Sequence, residues 1–298
     1  MPRPAIPVLA GLFIGVLFTL ANVWALHDPE PHGVPVGNFE AGPGYTTVRV
    51  DDAEQAVRSR EVFAARGADG RLYFAGANGQ TVNRELVRGQ AVTDVVPLAD
   101  GDPHGLSMPQ LVLGTLLGGF VAGVLMAQLA LGDPLWQRWL AYGAFAVGLG
   151  LLIAIVVSVL DVLPPGSCWL AWVWCGATAM TISVAVGALA RAVGQVGIPL
   201  AMLAFLILGN PSSGAQAPAE YLPWLFRTVG PYLPPNALAS GLTGTTYFDA
   251  SVLRPVLVLG TWFGLAALTL SLLDRMRGSR RALAYDAASA ADEREDRT

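Results

Sequence analysis

Histidine, cysteine and the acids carry most side-chain chemistry, and in this 298-residue chain they are few and unevenly placed. All three histidines fall in two short acidic stretches, His27 and His32 in LHDPEPH and His104 in DGDPHG. With Asp28, Glu30 and Asp102 beside them they have the donor types of a metal site. Their spacing matches no established ligand pattern, so a solvated junction is the plainer reading. Cys168 and Cys175 would share a face of one helix about 10 Å apart, beyond disulfide reach, and read as small inert thiols. No Ser–His–Asp elbow, HExxH, CxxC or glycine-rich nucleotide loop is present. The 18 basic residues are all Arg, which excludes a Walker-type loop and Schiff-base lysine chemistry. No enzyme, cofactor or metal is expected, and any ATP-driven work must come from another chain. A sequence pI near 5.3 and no basic stripe outside the tail argue against nucleic acid.

Few elements are left to position such chemistry, and most of them are apolar. Mean hydropathy is +0.51 and only 13% of residues are charged, which places the chain among multi-pass membrane proteins in contact with the lipid bilayer. Five runs are long enough to span: Ala5–Leu26, Leu106–Leu131, Trp139–Leu160, Cys168–Leu189 and Val252–Leu273. A sixth, Val196–Leu208, is short, at roughly 20 Å of helix. Alternating six spans puts Arg3, Arg138, Arg191 and Arg275, Arg277, Arg280, Arg281 on one side, the cytoplasm of a bacterial plasma membrane. Both termini then lie inside and residues 27–105 outside. A cleaved signal peptide over the first run is the weaker alternative, because that run is long for one.

The expected organisation is therefore a first transmembrane helix (1–26), an extracytoplasmic α/β domain (27–105), a five-helix transmembrane domain (106–273) and a disordered cytoplasmic tail (274–298). In the outside domain VPVGNF, TTVRV, RLYFA and VTDVVPL have strand composition. Residues 51–65 and 80–89 read as helices. At about 79 residues the domain is small for a self-sufficient core and needs support from the membrane part or a partner.

The membrane interior is nearly free of charge, which disfavours proton or ion coupling. Asp161 and Arg254 sit at outer ends of spans and form a candidate ion pair. Small residues recur at Gly114, Gly118, Gly119 and Gly123, and at Ala171, Cys175, Ala179, Ser183 and Gly187. Such stripes let helices approach closely, chiefly within one chain and alternatively at a dimer seam.

The stretch GNPSSGAQAPAEYLPWLFRTVGPYLPPNAL is too rich in proline for a spanning helix and too apolar for a plain loop. Irregular backbone at membrane depth survives only when buried in protein or lining a wet cavity. It reads as a re-entrant hairpin (209–242) with short helices near 219–229 and 235–242. Its candidate gate or pathway residues are Asn210, Pro211, Gly214, Pro223, Trp224, Arg227, Pro231, Pro234 and Pro235.

Several blocks, in order, resemble the Pip-type (phage infection protein-like) branch of the type-2 ABC exporter permease superfamily. They are ALHDPEPHGVPV, SREVFAARG, LYFAGANG, DVVPLADGDPHG and, most specifically, ILGNPSSGAQAPAEYLPWLFRTVGPYLPPNAL followed by TTYFD. The resemblance implies an all-α integral membrane protein of six transmembrane helices, with an outside insertion after the first and the re-entrant hairpin before the last. It implies a homodimer or hetero-oligomer moving a lipid-like, drug-like or polymeric substrate, driven by a separate ATPase subunit. Departures from the pattern are about four residues before the first span, a short GDPLWQR connection, a compact outside domain and Thr243 in place of an expected basic residue. The first two favour the alternative function, a non-transporting scaffold or surface receptor that docks partners on the outside domain.

Overall fold

The computed structural model describes residues 5–79, 82, 83, 86, 91–130 and 133–295, with side chains between Gly11 and Met276. The chain is mostly helical, at 66%. The helices are α1 Ala5–Leu26, α2 Ala53–Arg58, α3 Ser107–Leu129, α4 Leu135–Leu160, α5 Cys168–Val193, α6 Gly197–Met202, α7 Trp224–Val229, α8 Pro234–Thr246 and α9 Leu253–Glu295. Four stretches, Ser107–Leu129, Leu135–Leu160, Cys168–Leu208 and Leu253–Met276, are long and apolar enough to cross a membrane. The third, at 41 residues, is interrupted: Gly194 (φ +70°, ψ −150°) ends α5. The backbone then folds back so closely that a Cβ on Gly197 would lie 2.6 Å from the amide nitrogen of Ala190.

α5 is the central helix, and its small residues explain why. Ala171, Cys175, Ala179, Ser183 and Gly187 are all buried, which lets α3 and α4 approach on close terms. A Cβ on Gly123 of α3 would stand 2.6 Å from Val186 Cβ, and one on Gly119 would stand 3.2 Å from Ile182 Cβ. Gly176 meets α4 at the carbonyl of Ala146. Phe120, Tyr142, Ile182, Phe205, Leu238 and Leu270 complete the bundle core. Leu12, Phe13, Val16 and Leu20 of α1 and Leu152, Val156 and Val159 of α4 point outward, as lipid-facing positions do.

The sheet domain is held against one end of this bundle. Its five strands, β1 Val34–Gly37, β2 Tyr45–Val48, β3 Ala64–Arg66, β4 Leu72–Phe74 and β5 Val92–Asp94, run in the order β2-β1-β3-β4-β5. Only β3 and β4 are antiparallel; β1 pairs in parallel with β2 and β3, aligning Val36 with Ala64. One layer packs Val62, Ala65, Ala75 and Val95 against Ala53, Ala56 and Val57 of α2 and against Phe248. The other packs Val34, Val36, Phe63 and Leu72 against Tyr221, Leu222 and Phe226 and against Ala21 and Ala25 of α1. The small sheet thus completes its core with helical-part residues. Its exit is fixed by Gly101, whose N–H donates to Asp161 O at 3.2 Å, and by Asp102, whose carboxylate accepts from Leu106 N and Ser107 N at 2.9 Å each. Asp102 thus satisfies two amides at the start of α3 from outside the helix.

Two expectations are corrected. The helix foreseen over 51–65 stops at Arg58, because Arg60 adopts a left-handed backbone (φ +60°) and the chain continues as β3. The tail expected to be disordered from residue 274 instead prolongs α9 to Glu295. Its run of alanines has the highest helix propensity of any residue type. The helix foreseen over 80–89 lies mostly outside the described residues, with 82, 83 and 86 helical.

Candidate functional site

Between α6 and α9 regular helix is repeatedly interrupted, and beyond Leu208 the interruptions follow the glycines and prolines. Leu203–Leu208 widens into a π-helical turn, a feature that often marks functional positions. Short 3-10 turns follow at Pro211–Ser213 and Ala219–Tyr221, then α7, a 3-10 turn at Gly230–Tyr232, and α8. The segment is tied to the rest of the molecule by polar contacts as well as packing. Buried Asn210 donates to Asn22 Oδ1 on α1 at 2.9 Å, while within the segment Asn236 Nδ2 donates to Ser213 O at 3.1 Å. Trp174 Nε1 of α5 donates to Thr245 Oγ1 at 3.2 Å, and the Trp174 ring lies over Gly241, where a Cβ would come within 2.6 Å of it. Phe226 makes an edge contact with Trp24 at 5.3 Å between centroids.

Both ends of the segment return to the sheet domain. Near the start, His32 N donates to Glu220 O at 2.8 Å and the Tyr45 and Tyr221 hydroxyls stand 3.2 Å apart. At the finish, Phe248 joins the α2 side of the sheet and carries the Arg60 guanidinium 5.1 Å above its ring centroid. Between the two returns lies a half-open cavity of about 270 Å³, at the junction of sheet domain, broken segment and first turn of α9. Its charged lining is Arg60, Glu220 and Arg254, with Ser213, Asn236, Ser240 and Thr243 as neutral polar groups. Burial pulls the Arg60 guanidinium below its usual pKa, and the neighbouring Glu220 carboxylate opposes that shift.

The residues singled out from the sequence distribute unevenly around this cavity. Gly214 (φ +79°) and Pro231 line it. Asn210, Pro211, Pro234 and Pro235 are buried in the packing beneath, the last two opening α8. Pro223 precedes α7, Trp224 is 65% exposed, and Arg227 is half-buried in the last turn of α7. The Asp161–Arg254 pair does not form among the described residues. Asp161 caps α4 in a left-handed conformation (φ +53°), while Arg254 turns to the cavity. No group of three metal-ligand side chains converges among the described residues. His27 Nδ1 instead lies 3.0 Å from the carbonyl of Val23.

At the opposite end of the bundle the structure assembles a cluster that sequence reasoning missed. Asp274 of α9 accepts from Arg191 Nε at 3.0 Å and Nη2 at 2.7 Å, and on its other oxygen from Arg138 Nη1. Arg138 is only 4% exposed and Asp274 13%, so three helices are joined by one largely dehydrated carboxylate. Three residues 53 to 136 positions apart give no local pattern, and Asp274 is masked in sequence by the basic run that follows it.

No family model, curated protein or solved structure matches this chain.

Proposed function

We propose that this chain is a six-span, ABC-exporter-type membrane permease with a re-entrant outer lid. In this reading α1, α3, α4, α5, the α6–π segment and α9 are the spans, both termini are cytoplasmic and the sheet domain is extracytoplasmic. The observation that carries it is the path of residues 209–249. Both ends pack on the sheet domain while Gly241 and Thr245 press against α5 inside the bundle. Broken backbone packed among helices in this way is the arrangement a membrane tolerates beside a pathway. The nearly charge-free interior supports a lipid-like, drug-like or polymeric cargo over an ion-coupled one, and energy would come from a separate ATPase.

Affinity purification of the chain from its own membrane after crosslinking at the Asp133 turn and the tail tests this. Recovery of an ATPase subunit is expected; repeated recovery without one removes the ATP-driven reading. The alternative, a non-transporting scaffold or receptor, is favoured by one feature: β2 is an edge strand with Thr46 and Thr47 exposed, the geometry that accepts an added strand. Replacing Thr46 by Pro would then abolish partner capture while leaving the bundle folded.

A further inference from the structure

We propose that the junction cavity is a phosphate site, holding one phosphate ester between Arg60 and Arg254. The inference does not rest on the permease reading. Among the described residues neither guanidinium has an ion-pair or hydrogen-bond partner, although Arg60 is half-buried against Phe248. A guanidinium withdrawn from water without acceptors is costly, and a phosphate supplies the matching fork of oxygens. Arg60 is also held in a left-handed backbone conformation that a non-glycine residue rarely adopts.

The neutral lining fits the same ligand. Ser213 Oγ accepts from Ala215 N at 3.3 Å, which leaves its proton for a ligand oxygen. Thr243 also lines the cavity. Two arginines against the single acid Glu220 leave a net charge of +1 on the lining. The volume, about 270 Å³, lies just under the range of drug-sized pockets and suits a headgroup or a small phosphate ester better than a whole amphiphile. The ester is carried by a lipid headgroup or by a soluble molecule, and the two sources share this chemistry.

The test uses the full chain reconstituted in galactolipid nanodiscs, which contain no phosphate. Phosphatidylglycerol is then titrated against added galactolipid by native mass spectrometry, and glycerol 3-phosphate against glycerol by calorimetry. The expected result is selective binding of the phosphate-bearing member of at least one pair, weakened about tenfold in Arg60→Gln and in Arg254→Gln. Binding of phosphatidylglycerol alone identifies a lipid headgroup; binding of glycerol 3-phosphate identifies a soluble ester. Glu220→Gln should tighten the same binding severalfold, a gain that misfolding cannot produce. Equal binding of both members of each pair, or phosphate binding unaffected by all three substitutions, overturns the proposal.

Discussion

The two ends of the helical bundle handle charge in opposite ways. At the end away from the sheet domain, Asp274 clasps Arg138 and Arg191, and the charges are spent on one another. At the domain end, Arg60, Arg254 and Glu220 face a cavity and form no ion pair among the described residues. The clasp ties α4, α5 and α9 together in a low-dielectric setting, where separating the groups leaves a buried charge uncompensated. In the cavity Arg60 is half-buried and Arg254 exposed, and both are free to meet something else. The difference teaches that one end is built to hold its shape and the other to receive.

The sharpest way to break this contrast is to remove the shared carboxylate. Asp274→Asn should cost about 3–5 kcal/mol, because two buried guanidinium groups lose their partner. Thermal unfolding in detergent would show it; a midpoint close to wild type would mean that the clasp is ornamental. Next in size is the helix seam. Gly123→Ala should destabilise by about 1–3 kcal/mol because its Cβ meets Val186 at 2.6 Å. Gly114→Ala, with nothing within 4 Å, should be neutral or slightly stabilising. Equal effects in the same unfolding assay would contradict the tight α3–α5 contact. Asn210→Ala should cost about 1 kcal/mol, the usual worth of one interhelical hydrogen bond, here the one to Asn22. Smallest is Arg60→Gln, which should lose only about 0.5–1 kcal/mol of cation–π contact with Phe248. A loss approaching that of Asp274→Asn would make the cavity end as structural as the clasp.

What the sequence shows of this molecule follows how local each signal is. The long apolar helices were legible because twenty or so consecutive apolar residues admit few alternatives; α5, expected over Cys168–Leu189, runs over Cys168–Val193. The proline-rich segment was legible as broken chain, and its second helix, expected from residue 235, begins at Pro234. Strand β3 was not, because Ala64 and Ala65 continue a helix-like pattern and have no strand composition of their own. They are strand because they lie at the sheet centre with no exposed surface. The candidate site was half legible. Gly214 and Pro231, singled out from the sequence, line the cavity, but Arg60 meets Glu220 and Arg254 only through the tertiary fold, as Asp274 meets its two arginines. Asp161 and Arg254 were matched by their shared position at span ends, whereas Asp161 is occupied in ending α4.

The central claim is that residues 209–249 enter and leave the bundle on the side of the sheet domain. Gln216 and Asp249 are exposed at the two ends of this path, and Asp133 lies at the opposite end of the molecule. In a Cys168→Ser background, Gln216→Cys and Asp249→Cys should both react with a membrane-impermeant thiol reagent on intact cells, and Asp133→Cys only after permeabilisation. Labelling of Gln216→Cys and Asp249→Cys from opposite sides would make the segment a crossing and contradict the claim.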